Sequence, residues 1–209
     1  IQGASVEICF FTPSTVRILK SPGGWNYTKE SLSVIGKPEN VKLSIAQKEG
    51  ILTVKSNQLT VNLNQETGQI TFTSPAGKSL LEEQKKGVRF DDFNDAGVKT
   101  FSVYQSFTLE KEEAIYGLGQ LQNGKMSQRN QTKRLIQDNL EDVITFFQSV
   151  KGYGIFWDNY SPTIFKDTPE ETSFFSEVGD CIDYYFMYGG NADGVVAQMR
   201  HLTGQVPMF

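Results

Sequence analysis

The chain has 209 residues, a length that suits one large domain or a domain with a fragment of a second. Its 20 Lys and Arg against 24 Asp and Glu leave a net charge of −4, and no local basic run breaks the balance, which argues against a nucleic-acid-binding face. Hydrophobic residues make up 38% and charged residues 21%, unlike a disordered polyelectrolyte, and no apolar stretch approaches the ~20 residues of a membrane span.

The 15 Phe and 8 Tyr tilt the expectation toward sheet, because aromatic side chains fit a pleated, half-buried surface. Strands are predicted over 5–11 and 15–20, separated by Pro13 and Ser14. Residues 41–47 alternate, with Val41, Leu43 and Ile45 on one face, and the same period-two pattern continues over 51–55 and 59–63. The polar run 64–68 ends in Gly68 and leads into a strand over 69–73, a hairpin by turn chemistry. A further turn at 74–77 precedes Leu80 and Leu81.

From 100 to 109 the alternation puts Phe101, Val103, Gln105 and Phe107 on one face and Tyr104 on the other. Residues 135–148 hold two strand-like runs, and strands follow over 152–157, 173–178 and 182–187. Many short strands with regular turns predict an all-β, antiparallel β-sandwich rather than alternating βαβ units. One helix is predicted over 192–203, with Asn191 as N-cap, Val195, Met199 and Leu202 on one face beside Val196, and Gly204 as the stop. The first residue is Ile1 rather than Met and the last four, from Val206 to Phe209, are apolar. The sequence is therefore expected to begin after a processed or trimmed segment and to stop where another packed element begins.

Catalytic machinery is sought next. Cys9 and Cys181 lie far apart without metal-ligand spacing and are read as buried thiols, able to pair only if the first and last strands are neighbours. The single histidine, His201, falls in the last helical turn, where a cation suits the helix dipole, and one His with two distant Cys does not make a metal site. Gly117-Leu-Gly119 lacks the third glycine and the following helix of a dinucleotide fingerprint. No cofactor is implied. The adjacent carboxylates Glu82/Glu83, Asp91/Asp92, Glu112/Glu113 and Glu170/Glu171 point to opposite faces of any strand and are expected on solvated turns or edges. Tyr153, Phe156, Trp157 and Tyr160 are core fillers that could alternatively stack on sugar rings. Sequons at Asn26, Asn130 and Asn159 carry no weight by themselves.

Five blocks, in order, then become informative: AIYGLGQ at 114–120, LIQDN at 135–139, KGYGIFWDN at 151–159, IDYYF at 182–186 and HLTG at 201–204. Together they resemble the N-terminal β-sandwich of glycoside hydrolase family 31, the α-glucosidase and α-xylosidase family. The resemblance implies a galactose mutarotase-like sandwich over 1–190, and a helix and linker over 191–209 leading into a catalytic (β/α)8 barrel. It implies a retaining α-glycosidase for α-xylosides or α-glucosides, whose catalytic aspartates belong to the barrel, so this segment itself is expected to be inactive. The expected partners are the barrel and an α-linked oligosaccharide or glycoside. One functional position carries over: the aspartate of the family's WNRD-like loop, which hydrogen-bonds substrate, falls on Asp138. A turn-capping role is the alternative for Asp138, and the LIQ form of the block points toward the α-xylosidase-like branch. A stand-alone carbohydrate-binding sandwich is the competing function.

Overall fold

The computed structural model describes residues 3–24 and 29–207. The sequon at Asn26, the first residue Ile1 and the final residues Met208 and Phe209 lie outside them. In chain order the elements are β1 (Ala4–Thr12), β2 (Thr15–Pro22), β3 (Ser44–Lys48), β4 (Ile51–Lys55), β5 (Thr60–Asn64), β6 (Ile70–Thr73), β7 (Ser79–Asp95), β8 (Val98–Thr108), β9 (Ile115–Gln120), β10 (Thr132–Leu135), β11 (Asp142–Ser149), β12 (Tyr153–Trp157), β13 (Thr163–Asp167), β14 (Thr172–Ser176), β15 (Ile182–Tyr188) and α1 (Ala192–Thr203).

The strands form two antiparallel sheets facing each other, as expected. One has six strands in the order β1-β2-β15-β12-β11-β9, the other nine in the order β10-β13-β14-β8-β7-β6-β5-β4-β3. The core lies between them. Val16 and Ile18 of β2, Ile155 and Trp157 of β12 and Tyr184 and Phe186 of β15 meet Val61, Phe72, Val103, Phe107 and Phe174 of the larger sheet. Phe72 stacks on Phe186 with ring centroids 4.0 Å apart, and Trp157 stacks on Phe174 at 5.4 Å. Trp157 Nε1 donates to Ser176 Oγ, so the indole is buried without an orphaned N–H.

A second apolar cluster (Phe11, Phe156, Tyr185, Met187 and Leu202) lies on the outer face of the six-stranded sheet, under α1 and Val34. This extra layer explains why every residue of β12 is buried and β15 reads as one apolar run: both faces are covered. α1 has the predicted bounds and caps, with Asn191 Oδ1 accepting from Gly194 N at 2.8 Å and the Gly204 N–H closing on Arg200 O. Val195 and Leu202 are buried beneath it, whereas Val196 is turned out.

Several expectations are corrected. β7 was not predicted, because its 17 residues are rich in Lys, Glu and Asp; its charged side chains line a largely solvated face. β13 also escaped, since Thr163 and Asp167 as well as Phe165 point inward. Residues 135–148 hold a single strand beginning at Asp142, preceded by a loop over 136–141. The alternating stretch 41–47 becomes the edge strand β3 only from Ser44, and both its faces are exposed. Of the two thiols expected to be buried, Cys181 is buried but Cys9 is only partly so; β1 and β15 are separated by β2. Glu83 and Glu113 are not solvated but fully enclosed. Glu83 accepts from Lys20 Nζ, Tyr184 OH and the Ile70 N–H, and Glu113 from Ser149 Oγ and Tyr153 OH. On β7 the opposite-face geometry holds for Glu82 and Glu83, with Glu83 facing the core, whereas Glu112 and Glu113 lie in the loop before β9.

Candidate functional site

The Gly117-Leu-Gly119 segment is built for close approach of two backbones. Both glycines have positive φ, and a Cβ on either would collide with β11, at the Phe146 carbonyl for Gly117 and the Asp142 carbonyl for Gly119. Between them Leu118 is driven fully into the core. β9 therefore pins the start of β11, and with it the loop over 136–141 that crosses from β10 of the larger sheet to β11 of the smaller.

Asp138 stands on this loop, fully exposed. Its Oδ1 accepts from the N–H groups of Leu140 at 2.7 Å and Glu141 at 2.9 Å, closing a tight turn. Those two bonds hold its carboxyl below the usual Asp pKa, so it stays ionised at neutral pH. The capping role is thus real, yet it uses only Oδ1, and no protein donor reaches Oδ2 among the described residues. Gln137 ties the base of the loop, accepting from Val143 N and donating to Asp142. Gln122, from the segment after β9, donates its backbone N–H to Glu141 Oε1 and its side-chain amide to the Leu140 carbonyl. Gln137 enters the sequence reading only as part of the LIQ form of its block and Gln122 not as a site residue at all, because a surface Gln carries no signature until its partner is known.

Beside this loop, a cleft of 450 Å³ is lined by Ile136, Gln137, Ile144 and Phe156 and by residues 158–162. Residues 158–162 also bound a larger cleft of 860 Å³, with Lys29, Phe93, Asp95 and Glu177 on its walls. Of the four aromatics, Tyr153, Phe156 and Trp157 are core, as expected, and Tyr160 is half exposed between the clefts. Asn159 is bound to Val178 O and Ser161, so that sequon is part of the structure. His201 is an exposed residue of the last helical turn, 3.2 Å from Glu39.

Under the clefts lies an ion cluster. Arg17 grips both oxygens of Asp183 at 2.8 and 2.6 Å, which raises its own pKa further, and Lys29 Nζ sits 3.2 Å from Asp158 and 3.3 Å from Asp183. Among the described residues no group of three or more His, Cys, Asp or Glu could hold a metal, and no helix is long and apolar enough to cross a membrane.

The family model for the glycosyl hydrolase 31 N-terminal galactose mutarotase-like domain matches residues 5–165. The chain belongs to glycoside hydrolase family 31. An α-xylosidase of Saccharolobus solfataricus is 32% identical over the whole chain, which covers 29% of that protein. Alpha-glucosidase 2 of Bacillus thermoamyloliquefaciens is 28% identical over 97% of the chain and 27% of its own length. The chain therefore spans less than a third of the length of these relatives. Among solved structures, a family 31 α-xylosidase from Xanthomonas citri superposes on 99% of the chain and 39% of its own, with a TM-score of 0.91 at 18% identity. A family 31 dextranase from Flavobacterium johnsoniae does so over 99% and 26%, with a TM-score of 0.83 at 25% identity. The family match, over residues 5–165, accords with the mutarotase-like sandwich.

Proposed function

We propose that this chain is the non-catalytic N-terminal domain of a retaining α-glycosidase that acts on α-xylosides or α-glucosides, and that Asp138 contacts the substrate. In this reading residues 1–190 are the sandwich and 191–209 lead into a catalytic barrel. The names of the relatives support the substrate class.

The observation that carries the role of Asp138 is its division of labour. Oδ1 locks the turn, and the exposed, ionised Oδ2 is left to accept a hydrogen bond from a sugar hydroxyl. A charged acceptor makes a shorter and stronger bond than a neutral one. The sandwich supplies no acid and base pair of its own in this reading; it packs on the barrel and lends the loop.

Two variants of the full-length enzyme separate the roles. Asp138→Asn keeps an acceptor for the turn and loses the charge offered to substrate, so kcat/KM should fall roughly tenfold, about 1.4 kcal/mol, at unchanged thermal stability. Asp138→Ala should lose at least as much. Unchanged kinetics in both would remove Asp138 from the site, and turnover of an aryl α-xyloside by the 209-residue chain alone would refute the non-catalytic assignment.

A further inference from the structure

A band of bare aliphatic side chains runs from the end of α1 to the Asp138 loop. At one end the chain leaves the helix at Gly204, where a Cβ would lie 2.7 Å from Ile35 Cδ1. The Ile35 and Gly36 N–H groups donate to the Leu202 carbonyl at 3.0 and 2.9 Å, which holds their segment against the helix end. Ile35 is 70% exposed and Val206 75%. In the middle, Ser33 lines the smaller cleft together with Ile136, Gln137 and Ile144, so that cleft joins the Ile35 segment to the base of the loop. At the far end Ile144 of β11 is 51% exposed and Leu140, on the loop itself, 70%.

Single exposed aliphatic residues are ordinary, but several in one band mark a surface that something covers. Ile, Leu and Val offer no hydrogen bonds and no ring for a sugar to stack on. What they gain on contact comes from excluding water, as at the centre of a permanent protein–protein interface.

The two ends of the band decide which protein surface that is. In the glycosidase reading above, on which this inference rests, residues 191–209 lead into the barrel and Asp138 contacts the substrate. The five residues 205–209 reach at most about 18 Å when fully extended, so in that reading the barrel begins close to Ile35. A barrel tethered there and served by Asp138 lies across whatever separates the two points, and what separates them is this band. A second copy of the chain would leave that coincidence unexplained.

We propose that the barrel seats on this band, with Ile136 and Ile144 at the centre of the interface, Ile35 beside the connecting chain and Leu140 beside the substrate loop. The test is thiol labelling of the full-length enzyme. Ile35→Cys and Ile144→Cys are compared with Val150→Cys, just past the other end of β11 and also exposed, at 58%. Alkylation by iodoacetamide is read at each site by mass spectrometry and normalised to the urea-unfolded protein. Ile35→Cys and Ile144→Cys should react at least about tenfold more slowly than Val150→Cys, because an interface core excludes the reagent. Equal rates at all three sites overturn the proposal. So does protection that vanishes when a dimer is diluted to monomer, which would give the band to a second copy. If a Cys variant does not fold, hydroxyl-radical oxidation of the wild-type enzyme decides: Leu140 and Ile144 should be protected and Val150 not, and equal oxidation overturns the seating. The kinetics of the Asp138 variants test the underlying reading separately. A protected band with unchanged Asp138 kinetics supports the seating and removes Asp138 from the substrate, whereas an unprotected band with slowed Asp138 variants does the reverse.

Discussion

Lys20 of β2 and Glu83 of β7 meet at 2.6 Å in the space between the two sheets, where each is almost wholly removed from solvent. Lys20 Nζ also reaches Gln105 Oε1 at 3.0 Å, and Tyr184 OH donates to Glu83 Oε1 at 2.6 Å, so the pair joins β2 and β15 of one sheet to β7 and β8 of the other. Burial pushes the Lys20 pKa down while Glu83 pushes it back up. Such a pair fixes how the sheets face each other more than it adds net stability, because desolvation offsets most of the Coulomb attraction.

Breaking the pair from one side should therefore be far worse than removing it. Glu83→Gln leaves a buried ammonium unpaired and should cost about 3–5 kcal/mol in urea unfolding, as should Lys20→Met. The double variant Lys20→Met/Glu83→Gln carries no buried charge; its amide oxygen can still accept from the Ile70 N–H, and its NH2 can donate to the Tyr184 hydroxyl oxygen once that hydroxyl turns. It should recover most of that loss. Additive single costs in the double variant would show that the two groups are not coupled.

Tyr153 gives a pH dependence of known sign. Its ring is fully buried, and burial first, then the charge of Glu113 and the hydrogen bond to it, hold its pKa well above 10. The folded pKa is raised, so its contribution is complete below pH ~10, the unfolded value, and is lost as pH rises through that point because only the unfolded chain releases the proton. Above it, stability should fall by about 1.4 kcal/mol per pH unit from this one group. Guanidinium unfolding of wild type and Tyr153→Phe at a series of pH values between about 9 and 11 reads the difference: the variant's slope should be shallower by that one proton, and parallel slopes would exclude the effect.

What the sequence revealed follows the burial of each element. β5 and β8 bury one face, so Val61 and Leu63, or Phe101, Val103 and Phe107, announce themselves by alternation. α1 is legible to the residue because its cap, stripe and stop are all local. β7 is illegible because charged side chains crowd its solvated face and Glu83 takes an inward position, and β13 because Thr163 and Asp167 point inward; a partner distant in sequence, not a neighbour, makes the buried ones tolerable. The same holds for Glu83, Glu113 and Asp158. The place of Asp138 came from the ordered family blocks; its geometry, one oxygen in the turn and one free, came only from the fold.

The Gly-Leu-Gly segment should resist even the smallest substitution. Gly119 has φ +107, and a methyl group there would land on the Asp142 carbonyl. Gly119→Ala combines backbone strain with a collision that only a shift of β11 can relieve, and should destabilise the chain by at least about 2 kcal/mol. Gly124→Ala is the control: it also has a positive φ, but nothing lies within 4 Å of the new methyl, so it should cost only the strain. Equal melting temperatures for the two variants would remove the close approach as the reason for Gly119.

The Asp138 loop should loosen when its outside brace is cut. Gln122 touches the loop through its amide bond to the Leu140 carbonyl and its backbone bond to Glu141, and it is itself exposed. Gln122→Ala removes one neutral hydrogen bond of about 1 kcal/mol while leaving the core untouched. Global stability should stay the same, whereas hydrogen exchange at the Leu140 and Glu141 amides, which Asp138 caps, should quicken roughly fivefold. Gln122→Glu keeps the length but replaces the donor by an acceptor facing the carbonyl and should quicken exchange at least as much. Exchange rates unchanged in both variants would mean that the loop holds its shape without Gln122, through Asp138 and Gln137 alone.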